Sequence, residues 1–210
     1  MPRDVFLIVD GNSLMHRAYH ALPPMDADGV PTNAIHGFLL MLLRVFQERA
    51  PRYCAVAFDE HAPTFRHTVY PEYKAGRLKT PDDLVSQLAL IREILPGLHI
   101  PVFACAGYEA DDILGTVAAK CAEAGVDTLL LTGDRDALQL VREGVSLLFT
   151  RWGVSETVLF DPSGVREYFG VTPEQVTDLK GLLGDSSDNI KGVPGGGEKT
   201  AVTLLDECGS

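Results

Sequence analysis

Val5-Phe6-Leu7-Ile8-Val9-Asp10-Gly11 carries the deciding pattern of this sequence: five apolar residues in a row, ended by an aspartate and a glycine. An unbroken apolar run of that length fits a strand buried on both faces. The pattern recurs. Cys54–Phe58 ends at Asp59, and Asp127–Leu131 ends at Thr132-Gly133-Asp134. Ile100–Phe103 is followed by Glu109, Asp111 and Asp112, and Val145–Phe149 is a further run. Helical spacing fills the gaps. Asn33 to about Arg49 carries Phe38, Leu39, Leu42, Leu43 and Phe46. Asp82–Leu95 carries Leu84, Leu88, Ile91 and Leu95, and Glu109–Ala124 turns Ile113, Leu114, Val117 and Cys121 to one side. This alternation predicts an α/β fold with a mostly parallel sheet and helices on both faces. After Pro162 only helical segments follow, at Ser163–Phe169, Pro173–Leu183 and Glu198–Glu207. The expected division is therefore an α/β core over residues 1–160 and a small helical appendage over 161–210. The last helix has no capping layer behind it, so the chain reads as a piece of something longer.

The 210 residues are 46% hydrophobic and 22% charged, which excludes disordered and fibrous classes. Cys54, Cys105, Cys121 and Cys208 lie far apart and form no C-x-x-C pair. That excludes a disulfide scaffold or zinc ribbon and predicts reduced thiols in a cytoplasmic compartment. Val5–Val9 meets Asp10 too soon to be a secretory leader. The run around Phe38–Leu43 falls far short of the ~20 residues of a membrane helix, so no membrane partner is expected.

The net charge is −11, opposite to the usual surface of a nucleic-acid binder. Its distribution is more informative than its sum. Asp10, Asp59 and Asp134 each stand just beyond a strand, where ligands of open α/β sheets bind. Glu109, Asp111 and Asp112 open a helix, Asp136 follows Asp134, and Asp185 and Asp188 are spaced i, i+3, which predicts one face of a helical turn. Any one of these could be a helix cap or a dipole partner. Convergence of all nine at one sheet edge would instead produce strong repulsion unless cations were present. Setting the nine aside leaves 20 acids against 18 basic residues, so this cluster holds most of the excess charge. An all-oxygen donor set favours hard cations, Mg²⁺ or Mn²⁺, and so many carboxylates imply two or more ions. Paired ions about 4 Å apart suit phosphodiester hydrolysis, one of them generating the attacking water.

Between residues 61 and 80, Arg66, Lys74, Arg77 and Lys79 face a single acid, Glu72, and alternate with Phe65, Tyr70 and Tyr73. That interleaving suits a phosphate backbone with unstacked bases. Lys74 and Arg77, over the acidic edge, could offset charge on the scissile phosphate. Gly192-Val193-Pro194-Gly195-Gly196-Gly197-Glu198-Lys199-Thr200 is not a P-loop, because Glu198 separates Gly197 from Lys199 and no apolar strand precedes it. It reads either as a hairpin gripping one phosphate of a duplex or as a plain connection between helices.

Six spaced motifs carry a resemblance. They are Ile8-Val9-Asp10-Gly11-Asn12-Ser13; Phe58-Asp59 with Thr64-Phe65-Arg66; Tyr73-Lys74-Ala75-Gly76-Arg77; Gly107-Tyr108-Glu109-Ala110-Asp111-Asp112; Thr132-Gly133-Asp134-Arg135-Asp136; and Gly184-Asp185-Ser186-Ser187-Asp188-Asn189-Ile190. Together they resemble the 5′-nuclease domains of bacterial DNA polymerase I, which are similar to flap endonucleases and phage 5′-exonucleases. The resemblance runs from about Phe6 to Leu205. It implies a PIN-like core, a helix–three-turn–helix appendage and a Mg²⁺-dependent nuclease of the bacterial cytoplasm and nucleoid, removing 5′ flaps and RNA primers. It further implies one metal group of Asp10, Asp59, Glu109, Asp111 and Asp112 and another of Asp134, Asp136, Asp185 and Asp188. Lys74 and Arg77, beside Asp134, look like catalytic residues, the two basic ones on a helical arch from about residue 61 to 95 that passes the 5′ end. Arg66, Tyr73 and Lys79 would contact DNA, Tyr73 by stacking near the frayed end. Gly192, Val193, Gly195, Gly197, Lys199 and Thr200 look like the duplex-binding hairpin, with K⁺ held by its carbonyls. A polymerase domain in the full-length protein is an implied partner. A PIN-like ribonuclease and a catalytically weak DNA-binding fragment are the competing expectations.

Overall fold

The computed structural model describes residues 3–60 and 62–210. Residue 61, where the expected arch begins, lies outside the described residues. Strand β1 (Val5–Asp10) runs directly into α1 (Gly11–Ala21), and the small pair β2 (Asp26–Ala27) and β3 (Val30–Pro31) leads to α2 (Asn33–Arg49). Next come β4 (Tyr53–Ala57), the short α3 (Phe65–Val69), α4 (Asp82–Gly97), β5 (Val102–Phe103), α5 (Ala110–Glu123) and β6 (Asp127–Thr132). The chain continues through β7 (Val145–Trp152), β8 (Glu156–Phe160), α6 (Pro162–Phe169), α7 (Val176–Leu183), β9 (Gly184–Asp185), β10 (Ile190–Lys191) and α8 (Glu198–Cys208).

Six strands form the main sheet in the order β5-β4-β1-β6-β7-β8. Neighbours from β5 to β7 pair in parallel, and β8 returns antiparallel to β7. The expected mostly parallel architecture is what the chain adopts. Side chains alternate faces along a strand, and both faces are covered. Leu7, Val9, Val56, Leu129 and Leu131 pack with α1, α2 and α4. Ile8, Ala55, Ala57, Leu130 and Leu147 pack with α5 and with Val165, Val176, Leu179, Ala201 and Leu205 from α6, α7 and α8. The apolar residues of the helical appendage thus join the core of the sheet's second face.

These two faces fix where a ligand can sit. From β1 the chain crosses the first face to β4; from β5 it returns over the second face through α5 to β6. Adjacent strands β1 and β6 therefore send the chain in opposite directions, and the crevice at their carboxyl ends is the topological switch point.

The structure adds a helix and a run of turns to the sequence reading and corrects one expectation. Helix α1 was not read from sequence, because Asn12, Ser13, His16, Arg17 and His20 interrupt its apolar face, leaving Gly11, Leu14, Met15 and Ala18 buried. Asp185 and Asp188 do not share a helical turn. Gly184–Asp185 pairs with Ile190–Lys191, and Asp185 Oδ1 accepts the amides of Ser187 and Asp188 at 2.8 and 3.3 Å, which closes a tight turn instead. Residues 71–76, within the expected arch segment, are turns held by Tyr73 N donating to Tyr70 O, Ala75 N to Glu72 O and Arg77 N to Lys74 O.

Candidate metal centre

A cavity of about 1180 Å³ opens at the switch point, lined by Asp10, Asp59, Glu109, Asp111, Asp134, Asp136 and Asp185 and by Lys74, Arg77 and Lys180. Seven of the nine carboxylates singled out in the sequence thus share one cavity.

Asp10 ends β1 and is 5% exposed. Its Oδ1 accepts the Ser13 amide at 2.9 Å, capping α1, and its Oδ2 accepts the Thr132 hydroxyl from β6 at 2.8 Å. Burial, with the Asp59 and Asp134 charges adding, overcomes these hydrogen bonds and pushes its carboxyl up to about 6. Asp59 follows β4, its amide donating to Asn12 Oδ1 at 3.1 Å and its Oδ1 accepting from Ala110 N at 2.7 Å. Asp134 Oδ1 accepts the Asp136 amide at 2.9 Å, while the Asp134 amide donates to Thr132 Oγ1 at 3.0 Å.

The start of α5 splits its acids between two surroundings. Glu109 caps the helix and receives Lys74 Nζ at 2.7 Å and Tyr73 OH at 3.0 Å. Asp111 points inward. Burial raises its carboxyl well above the usual range, with the Asp10, Asp134 and Asp59 charges adding, and its Oδ1 is buried without any hydrogen-bond partner. Asp112 turns away from the cavity. Both its oxygens receive the Arg66 guanidinium at 2.8 Å and Oδ2 also accepts the Glu109 amide, so the Arg66 hydrogen bond holds it below the usual range against the pull of burial.

On the far side, Lys180 Nζ lies 2.6 Å from Asp136 Oδ1 and 2.8 Å from Asp185 Oδ2. Burial still leaves Asp136 raised, in spite of Lys180. Burial would also raise Asp185, but Lys180 and Ser187 hold its carboxyl well below the ordinary value. Asp188 is outside the cavity lining and pairs with Arg77 Nη2 at 2.6 Å.

Among the described residues no three His, Cys, Asp or Glu side chains draw together into a ready-made cation cage. Basic side chains stand between the acids instead. The donor set nevertheless fits hard divalent cations: it is all oxygen, and the Asp111 oxygen is orphaned at a depth where an unpaired polar atom is costly.

The remaining expected contacts are dispersed. Lys74 sits at φ 57°, outside the usual regions, fixed by its own amide donating to Asp188 O at 3.1 Å and by Glu109 on its side chain. Tyr73 is buried with its hydroxyl on Glu109, and its ring meets His67 edge-on. Lys79 is exposed beside Asp82. Gly192, Val193, Gly195 and Gly197 on the loop into α8, and Lys199 and Thr200 in its first turn, are exposed or half-exposed and lie outside the cavity. His16, Arg17 and His20 from α1, together with Lys180, line the cavity without having been singled out in the sequence. The signal for the α1 residues was the i, i+4 spacing of His16 and His20 directly after Asp10. For Lys180 there was none.

Two family models match the chain: a 5′-3′ exonuclease N-terminal resolvase-like domain over residues 5–170, and a 5′-3′ exonuclease C-terminal SAM fold over residues 171–210. DNA polymerase I of Bacillus caldotenax is 46% identical over 205 residues, covering 97% of this chain and 23% of that protein. DNA polymerase I of Bacillus subtilis is 45% identical over 209 residues, covering 99% and 24%. The chain thus spans about a quarter of the length of these relatives. Among solved structures, zinc-bound T5 5′-exonuclease shares the fold at TM-score 0.82 and 24% identity, covering 98% of this chain and 76% of that one. The catalytic core of Rad2 in complex with a DNA substrate shares it at TM-score 0.62 and 18% identity, covering 99% and 63%.

Proposed function

The chain belongs to the 5′-3′ exonuclease family, and from that premise we propose that it hydrolyses DNA phosphodiesters near a 5′ end, at flaps, nicks, branches and RNA primers. The observation that carries this reading is the buried, unpartnered Asp111 Oδ1 facing a cavity that six further carboxylates line. Two or more Mg²⁺ ions, for which Mn²⁺ could substitute, would be held by Asp10, Asp59, Glu109 and Asp111 on one side and by Asp134, Asp136 and Asp185 on the other. Asp112 and Asp188 would join only on parting from Arg66 and Arg77. Bound there, the ions supply the Lewis-acid charge of a two-metal displacement at phosphorus.

The chain's own residues supply the rest. Burial raises the Asp10 carboxyl to about 6 and the Asp111 carboxyl well above the usual range, so protons compete with a cation for both ligands. Lys74 and Arg77 line the same cavity and present cationic groups to an incoming phosphate, each first releasing a carboxylate. Lys79 would guide the 5′ strand, and Arg66 and Tyr73 would join it only on parting from Asp112 and Glu109. Gly192, Val193, Gly195, Gly197, Lys199 and Thr200 would hold duplex backbone, with K⁺ at the hairpin carbonyls. Residues 1–160 would act as the cutting unit and 161–210 as the duplex grip. The place of action would be the bacterial cytoplasm at the nucleoid, with a polymerase domain as partner in the full-length protein.

Cleavage of a 5′-labelled flapped duplex with Mg²⁺ tests this, with EDTA and Asp134→Ala as controls. Short 5′ products that vanish in both controls are expected. Cleavage that survives Asp134→Ala would overturn the assignment of the centre.

A further inference from the structure

Resting on that reading, we propose that Lys180 is a tethered counterion that occupies the Asp136–Asp185 half of the centre and must leave it before a divalent cation can enter. The two halves differ in one respect. In the Asp10–Asp111 half no ammonium bridges two carboxylates among the described residues: Lys74 holds Glu109 alone, and Asp111 Oδ1 has no partner. Across the cavity, Lys180 Nζ touches Asp136 Oδ1 and Asp185 Oδ2 at once.

Asp185 is committed to this arrangement. Its Oδ1 already accepts from the Ser187 amide and hydroxyl and the Asp188 amide, so Oδ2 is the oxygen it offers, and Lys180 has it. A cation placed between Asp136 and Asp185 would need the volume that Nζ fills. Lys180 can yield it: its side chain is 34% exposed, and a four-carbon stem lets a lysine head swing without moving its helix. Its single positive charge neutralises one of two carboxylates, which keeps the empty half stable while biasing it against ions. The consequence is unequal halves, the Asp10–Asp111 half filling first and the Asp136–Asp185 half lagging.

Mn²⁺ binding to wild type, Lys180→Met and Lys180→Arg, followed by calorimetry and by the electron-spin signal of free Mn²⁺, tests this without any substrate. Wild type should bind one ion well and a second weakly. Lys180→Met should tighten the second by about tenfold or more, since an adjacent opposite charge biases a carboxylate by one to three pK units. Lys180→Arg should restore the weak second site. Should Lys180→Met fold poorly by circular dichroism, Lys180→Gln replaces it. A second site unchanged or weakened in the uncharged variant overturns the proposal. Absence of any bound Mn²⁺ in all variants would instead sink the metal-centre reading itself.

Discussion

The Thr132 hydroxyl donates to Asp10 Oδ2 at 2.8 Å, tying the carboxyl end of β6 to that of β1 across the switch point. Thr132 Oγ1 itself accepts the Asp134 amide at 3.0 Å. One buried side chain thus sets the spacing of two carboxylates on neighbouring strands. Thr132→Val keeps the shape and removes both bonds. It should destabilise the fold by about 1–3 kcal/mol, the cost of orphaning buried polar groups, and should raise the Asp10 carboxyl above about 6. Carboxyl-carbon NMR titration and thermal melting read the two effects; an unmoved Asp10 would deny Thr132 this role.

Asp10 also gives the cation-free protein a definite pH dependence. Its carboxyl is raised from 3.8 to about 6, so between those values the folded chain holds a proton that the unfolded chain has released. Stability from this group is full below about pH 4 and is lost as pH rises through about 6. Asp10→Asn should therefore stabilise the protein in EDTA at pH 8 by up to about 3 kcal/mol, with the gain shrinking toward pH 4. Urea denaturation at both pH values checks this, and a gain that grows on acidification would reverse the sign.

Neighbours Asp111 and Asp112 should behave differently although they are consecutive in the chain. Asp111→Asn removes the carboxylate charge at the unpartnered oxygen of the cavity and should weaken Mn²⁺ binding at least about tenfold. Asp112 is bound to Arg66 outside the cavity. Asp112→Asn should change Mn²⁺ affinity within about fivefold, the size of a partly exposed ion-pair effect. Equal losses by calorimetry would place Asp112 in the centre.

The sheet and the acids at its edge were legible because each apolar run ends at the residue that matters: Asp10, Asp59 and Asp134. Periodicity fixes which residues leave a strand, and topology then gathers those ends. Partnership between distant side chains is not encoded in that way. Asp112 and Asp188 look like their neighbours in sequence, and only the fold brings Arg66 and Arg77 to them. Lys180 sits in a helical pattern as an ordinary polar residue, and its meeting with Asp136 depends on how α7 docks beside the 3₁₀ turn at Asp136–Leu140. The i, i+3 spacing of Asp185 and Asp188 pointed to a helix because that spacing cannot distinguish a helical turn from the turn closed by Asp185 Oδ1.

That turn depends on glycine. A Cβ on Gly192 would lie 2.3 Å from the Leu183 carbonyl oxygen, and one on Gly184 would lie 2.3 Å from the Gly192 amide nitrogen, with Gly184 also at φ +77°. Both sites face backbone, which cannot swing aside as a side chain can. Gly192→Ala should cost about 1–3 kcal/mol and loosen the second Mn²⁺ more than the first, because Asp185 follows Gly184 directly. Loss of both ions alike would show that the strain spreads through the whole centre.

Lys74 has a role separable from holding DNA. Its backbone is locked in the left-handed region by the Asp188 carbonyl, and its ammonium rests on Glu109 at the cavity wall. A group fixed there can meet a phosphate at the acids but reaches little of a duplex lying outside. Lys74→Ala should slow single-turnover cleavage of a flapped duplex by about a hundredfold or more, the scale of losing one preorganised charge. Affinity for the same duplex, measured with Ca²⁺, should fall by no more than about fivefold, as for loss of a single partly exposed ion pair. Glu109 keeps the Tyr73 hydroxyl and the Arg66 guanidinium at 3.7 Å, so the variant leaves no isolated buried charge to unfold it. Equal losses in rate and affinity would reduce Lys74 to a phosphate contact and move the burden of charge at the reacting phosphate to Arg77.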